Sequence, residues 1–168
     1  DTPKIASFTD FTHEILTRPS ETEINIILNS RPPTNVFGYQ LDLKNANFYY
    51  QAPLDAKVYP KGWIANATHV YDDKGILQES RPINVVGSYA VYGPYKNGEY
   101  GTGKIMHIYR PLVWDSAGNK IWGVLNYSNN LLTVTVDSKW LDRAVYPVTV
   151  DPTFGNTNAG ASNDSVGD

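Results

Sequence analysis

The side chain best suited to chemistry is a histidine in the second half of the chain. In "GKIMHIYR" His107 stands between Ile105 and Tyr109 at period two, just before the "YRP" that ends in Pro111. An imidazole changes charge near neutral pH, so His107 has the chemistry of a general base or a ligand. No second His or carboxylate lies at metal or triad spacing from it, which favours a histidine hydrogen-bonded beneath a sheet. Asp72, Asp73, Glu79, Glu99, Asp115, Asp137 and Asp142 all sit beside turns or caps. Carboxylates there satisfy backbone donors, which accounts for nearly all of them without invoking the acid and base of a glycosidase.

Other site chemistries find little support. There is no GxSxG nucleophile turn, and "DDKG" lacks the alternating oxygen ligands of a calcium loop. No catalytic residue, metal ligand or cofactor is assigned. Lys44, Lys104, Asn126 and Thr149 have the chemistry of intramolecular cross-links, and the sequence does not choose a pair. Asp151-Pro152 is an acid-labile bond, but strand termination explains this proline without self-processing.

Aromatic residues are the main binding signal: twelve Tyr, four Trp and five Phe in 168 residues. Tyr59 and Trp63 fall in an irregular stretch, and Tyr89, Tyr92, Tyr95 and Tyr100 bracket Asn97-Gly98. Flat rings flanked by Asn and Asp suit sugar faces or a protein partner. Tyr59, Trp63, Tyr92 and Tyr95 are therefore the candidate ligand-binding set, against the plainer expectation that such tyrosines cover sheet edges with their hydroxyls in water.

These residues must be positioned by strands. "NVFGYQLDL" sets Phe37, Tyr39, Leu41 and Leu43 on one face, and "TEINIIL" does the same for Ile24, Ile26 and Leu28. Ile105, His107 and Tyr109 share a face by the same rule, as do Ile121, Leu125 and Tyr127 across Gly123. Leu132, Val134 and Val136 oppose Thr133 and Thr135. Turn chemistry agrees: Asn97-Gly98 and Asn129-Asn130 read as two-residue hairpins, "DDKG" at 72–75 and "DSAGN" at 115–119 as longer ones. One short helix is expected near 138–144, capped by Asp137 or Ser138, with Trp140, Leu141 and Ala144 on its inner side and Pro147 beyond it. Residues 51–68 show no period and read as a long loop or excursion. The final strand directs Tyr146, Val148 and Val150 inward. Pro147 near its start suggests an edge strand, and Asp151-Pro152 its end.

The predicted fold is all-β, an antiparallel β-sandwich or jelly-roll-like barrel with that single helix. Residues 1–155 form one domain, and 156–168 read as a linker or the start of a following module. A net charge of −3 without a basic stripe argues against nucleic acid. No apolar run approaches a membrane span, and the absence of cysteine removes disulfides and thiolate sites. A beginning at "DTPK" reads as trimmed.

"HIYRPLVWDSAGN" followed by "LLTVTVDSKWLDRAVYPVTVDPTFG" resembles a β-rich domain of large modular wall-associated and secreted bacterial proteins and of phage or prophage-encoded proteins, a domain of no settled biochemical role. The correspondence falls on Pro111, Asp115, Gly118, Trp140, Leu141, Tyr146, Pro147, Asp151, Pro152 and Thr153. It spans roughly residues 20–155, with its specific part after Ile83. The resemblance implies a structural or connecting module at a cell surface, outside the cell or in a virion, with neighbouring domains of the same polypeptide as partners. It carries over no catalytic residue. A carbohydrate-binding module that uses loop aromatics on surface glycans is the alternative, and a glycan hydrolase built on His107 a third.

Overall fold

A computed structural model describes residues 7–8, 11–18, 21–93 and 103–156, with side chains at 22–93 and 103–155. The Asn97-Gly98 hairpin, Tyr95 and the tail beyond Asn156 lie outside the described residues. Strands β1 (Ser7–Phe8), β2 (Phe11–Arg18) and β3 (Glu21–Leu28) open the chain, followed by β4 (Val36–Gln40) and β5 (Asn47–Tyr50). A 3-10 turn at Leu54–Ala56 leads into β6 (Ile64–Ala65), β7 (His69–Tyr71) and β8 (Leu77–Ser80), and β9 (Tyr89–Tyr92) comes next. Then follow β10 (Lys104–Ile108), β11 (Leu112–Trp114), β12 (Lys120–Trp122), β13 (Val124–Ser128), β14 (Leu131–Thr135), α1 (Ser138–Arg143), β15 (Val148–Asp151) and β16 (Thr153–Asn156).

The molecule is all-β, and every strand pair is antiparallel. The large sheet runs β12-β11-β15-β3-β16-β10-β9-β5, with β2 on the other side of β3 and β1 on β2. A three-stranded sheet, β13-β14-β4, covers it. From the large sheet Ile26, Leu28, Val91, Ile108, Val113, Val148, Val150 and Phe154 meet Phe37, Leu125, Leu132 and Val134 of the cover. Trp140 and Leu141 of α1 join the same core. Leu28, Ile108, Leu132 and Leu141 are 0% exposed, and burial of each such side chain contributes roughly 1.5–3 kcal/mol.

Local chemistry explains the connections. Asn129 and Asn130 take φ of 51° and 61°, the left-handed pair that a tight hairpin between β13 and β14 demands. Asp72 Oδ1 accepts from the amides of Lys74 and Ile76, closing the β7-β8 turn with Gly75 at φ 78°. Asp137 caps α1 by accepting from Trp140 N at 2.7 Å. The "KIWGVLNY" run, by contrast, is two strands on two sheets. It crosses at Gly123, where an added Cβ would stand 3.0 Å from both Pro111 Cγ and Val134 Cγ1.

The chain end departs from expectation. β15 lies between β3 and β11, so it is a central strand, and Pro147 precedes it outside the ladder. β15 does end at Asp151, as expected, but the chain does not leave the sheet at Pro152. The pairs Val148↔Leu28 and Thr153↔Glu23 keep one register, so β15 and β16 are one extended run with a single missing donor at Pro152. Partners on both flanks resume the ladder immediately, which is why one proline interrupts without ending it.

Residues 51–68 are likewise more ordered than their sequence suggests. They contribute the 3-10 turn and β6 to a separate small sheet, β6-β7-β8, whose own interior holds Leu54 and Val70, both 0% exposed. Gln51 N–H donates to Ser88 O, and Gly87 N–H to Gln51 O, closing the base of the excursion. Strands this short carry too few residues for a period to register.

Candidate functional site

The site begins with two prolines. Leu112 pairs with Asp151 and Ile108 with Phe154, so Pro111 and Pro152 meet at the junction between β10-β11 and β15-β16. Neither has an N–H, and the ladder is bridged instead by Tyr109 N–H to Thr153 O at 2.9 Å. At this joint the outer edge of the large sheet forks. β9 and β5 continue beyond β10, whereas β12 continues beyond β11. Asn84, from the segment between β8 and β9, enters the fork and its carbonyl accepts Arg110 N–H at 2.8 Å.

A cavity of about 400 Å³ opens there. Trp122 and Leu112 are directly paired across β12 and β11, and Leu112 is paired in turn with Asp151, so the three line one wall. Tyr109, Arg110, Thr153 and Asn84 complete the lining. The Arg110 guanidinium lies over the Trp122 ring, 5.0 Å from its centroid. Burial draws the Arg110 pKa down from its ordinary value, while the Tyr50 phenol works against that shift. Arg110 stays charged nonetheless, and among the described residues it pairs with no carboxylate. Asp151 Oδ1 accepts from Thr153 Oγ1 at 3.1 Å. Burial, and secondarily the Asp151 carboxylate, raise the pKa of Tyr39.

His107 lies next to this cleft and does not line it. A bulge between Lys104 and Met106 interrupts the pairing of β10 with β9 just ahead of His107. Ile105 is 39% exposed, and Met106 and Ile108 face the core. His107 and Tyr109 share the opposite face with ring centroids 4.5 Å apart. Small neighbours make room for them: Ala90 and Gly155 flank His107 in register, and an added Cβ on Gly155 would stand 2.7 Å from Tyr109 Cε2. His107 is 2% exposed and its Nε2 hydrogen-bonds Ser88 Oγ at 2.7 Å.

Asp115 is the hub of the β11-β12 turn. Its carboxylate accepts from Asn119 Nδ2, Val145 N, Asn119 N and Ala117 N, and these bonds, Asn119's side chain foremost, hold its pKa below the usual carboxylate range. Gly118 supplies φ 85° in the same turn. Trp140 lines a second cavity, about 350 Å³, beside Asp115 and Arg143. Tyr146 donates to Leu141 O at 2.8 Å and leans on the core, and Pro147 is exposed.

The four aromatic candidates do not form one surface. Tyr59 and Trp63 stack in the small-sheet excursion with centroids 6.2 Å apart, and Tyr59 donates to Leu54 O at 2.9 Å. Tyr92, on β9 of the large sheet, packs edge-on against Tyr49 at 5.4 Å. Tyr95 is outside the described residues. Sequence reasoning did reach Asp151 and Pro111, but it missed Arg110, Trp122, Asn84 and Thr153 as a group. The one available signal was Arg110 in "YRP"; nothing local joins it to Trp122 or Asn84. Among the described residues no group of three or more metal-binding side chains gathers, and no helix is long and apolar enough to cross a membrane. No family model, curated protein or solved structure matches the chain.

Proposed function

We propose that this chain is a non-catalytic β-sandwich module that supports or spaces neighbouring parts of a larger bacterial surface or phage protein. The observation that carries the reading is how the chemically capable side chains are employed. Asp115 is spent on four donors, three in its own turn and Val145 N–H beyond α1, and His107 on Ser88 beside the Tyr109 ring. The residues behind the resemblance do structural work throughout: Pro111 and Pro152 shape the fork, Trp140 and Leu141 close the core, and Tyr146 ties back to α1. A spacer needs a stiff, densely paired body, and the last strand is paired on both flanks.

The test combines turnover and stability. Wild type, His107→Gln and Asp115→Asn are assayed against a panel of glycans, esters and peptides and by thermal unfolding. The reading expects lower melting temperatures for both variants and no turnover by any of the three. Turnover by wild type that His107→Gln abolishes would overturn it.

A second reading, a module that also holds a saccharide, is favoured by the cleft at the fork. Trp122 and Leu112 line it together with Asp151, Asn84 and Thr153, a mixture of flat apolar surface and polar groups that suits a sugar ring.

A further inference from the structure

We infer that the cleft formed by the forked sheet binds an acidic saccharide, with the ligand's carboxylate on Arg110 and its ring against Trp122 and Leu112. The inference rests on the saccharide-binding reading and goes further by naming the ligand's charge. A guanidinium offers five donors and is charged at every physiological pH, so withdrawing it from water without a counter-charge is costly. Here it is half-buried between Trp122, Tyr50 and Gly87. No carboxylate within the described residues neutralises it.

Two features keep it poised. The Trp122 ring under the guanidinium compensates part of the charge through its face without using any N–H donor. The Arg110 backbone is fixed by its bond to Asn84 O on the 8-to-9 connection and by Pro111 next in sequence. A planar donor fork held on a ring is the geometry that receives a carboxylate through two parallel bonds.

The rest of the cleft selects for sugar over other anions. A simple anion needs no apolar wall, yet Leu112 and Trp122 supply one. A peptide carboxylate would bring backbone groups that seek a strand edge, whereas the cleft is lined by polar residues, Thr153 and Asn84 among them, of a kind suited to ring hydroxyls. With the Arg110 guanidinium beside Thr153 and Asn84, the lining suits a ligand that carries acid and hydroxyls on the same ring. Uronic acids do so. A cavity of about 400 Å³ suits one or two rings.

The experiment titrates the full chain, by calorimetry and two-dimensional NMR, with hexamers of galacturonic, glucuronic and mannuronic acid. Each is compared with its carboxyl-reduced form, which differs only in the acid group. The expected result is saturable binding of at least one hexauronate, roughly tenfold or more tighter than its reduced form, with shifts centred on Arg110, Trp122 and Thr153. Arg110→Gln should remove that preference while leaving the melting temperature near wild type, and Trp122→Phe, which keeps a ring, should weaken binding of both forms. Equal binding of acid and reduced forms would overturn the acidic specificity and leave the saccharide reading standing. No binding of any hexamer would overturn both. A response to a carboxylate-terminated hexapeptide as strong as to the hexauronates would make the site a peptide site and overturn the proposal.

Discussion

Gly155→Ala tests whether the face that carries His107 and Tyr109 is packed as described. The added methyl would stand 2.7 Å from Tyr109 Cε2, about an ångström inside ordinary carbon contact, and 3.5 Å from Cζ and the hydroxyl. Gly155 lies in β16 between β3 and β10, so its backbone has no easy way to retreat. The Tyr109 ring must tilt, and it is constrained by His107 on the same face. Overpacking of this kind costs about 1–3 kcal/mol, against which a strand gains roughly 0.5–1 kcal/mol when Gly becomes Ala. The net expectation is destabilisation of about 0.5–2 kcal/mol, a fall of roughly 2–6 °C in melting temperature for a chain of this size. Urea unfolding of wild type, Gly155→Ala, Tyr109→Ala and the double variant separates the two terms. With the ring removed, Gly155→Ala should become neutral or stabilising, giving a coupling of about 1 kcal/mol or more. A Gly155→Ala effect of the same sign and size with and without the ring would refute the packing.

Other substitutions probe the core, the inter-sheet tie and the charged turn. Leu132→Ala, at a fully buried site in the middle of the covering sheet, should cost about 2–5 kcal/mol by denaturant unfolding. Tyr89→Phe keeps its ring contacts with Phe48 and Tyr127 but removes the hydroxyl that accepts Tyr127 N–H at 3.0 Å, and should cost about 1 kcal/mol, with the far-ultraviolet spectrum unchanged. Asp115 fixes a pH dependence. Its folded pKa lies below the 3.8 of the free carboxyl, so its contribution is complete above that value and drains away as pH falls through the lowered folded value. Asp115→Asn should therefore be less stable near neutrality and show a flatter acid limb in melting temperature against pH; an unchanged limb would count against the turn as the source.

The fold was legible wherever the information is local. Asn129-Asn130, "DDKG", "DSAGN" and the Asp137 cap each encode their geometry within a few residues, because positive φ and amide capping are decided by the side chains on the spot. The alternation of Leu132, Val134 and Val136 likewise assigned the inner face of β14 and its exit, because one side of that strand is buried along its length. Alternation also grouped His107 with Tyr109, on the side of β10 away from the core residues Met106 and Ile108. It was silent over residues 51–68, whose one strand, the two-residue β6, holds too little pattern to read.

The sequence by itself determined that the chain makes antiparallel strands in two covering layers, since period-two apolar residues have nowhere else to leave water. Only the tertiary structure decided the cleft. Arg110, Trp122, Asn84 and Asp151 are distant or unpatterned in the chain. They meet because Pro111 and Pro152 fall opposite one another in the ladder, and that coincidence of register exists only once β11, β15 and β3 have paired. A missing pair of amide donors is invisible in a one-dimensional reading, yet in the folded sheet it falls where the edge splits and the cleft opens.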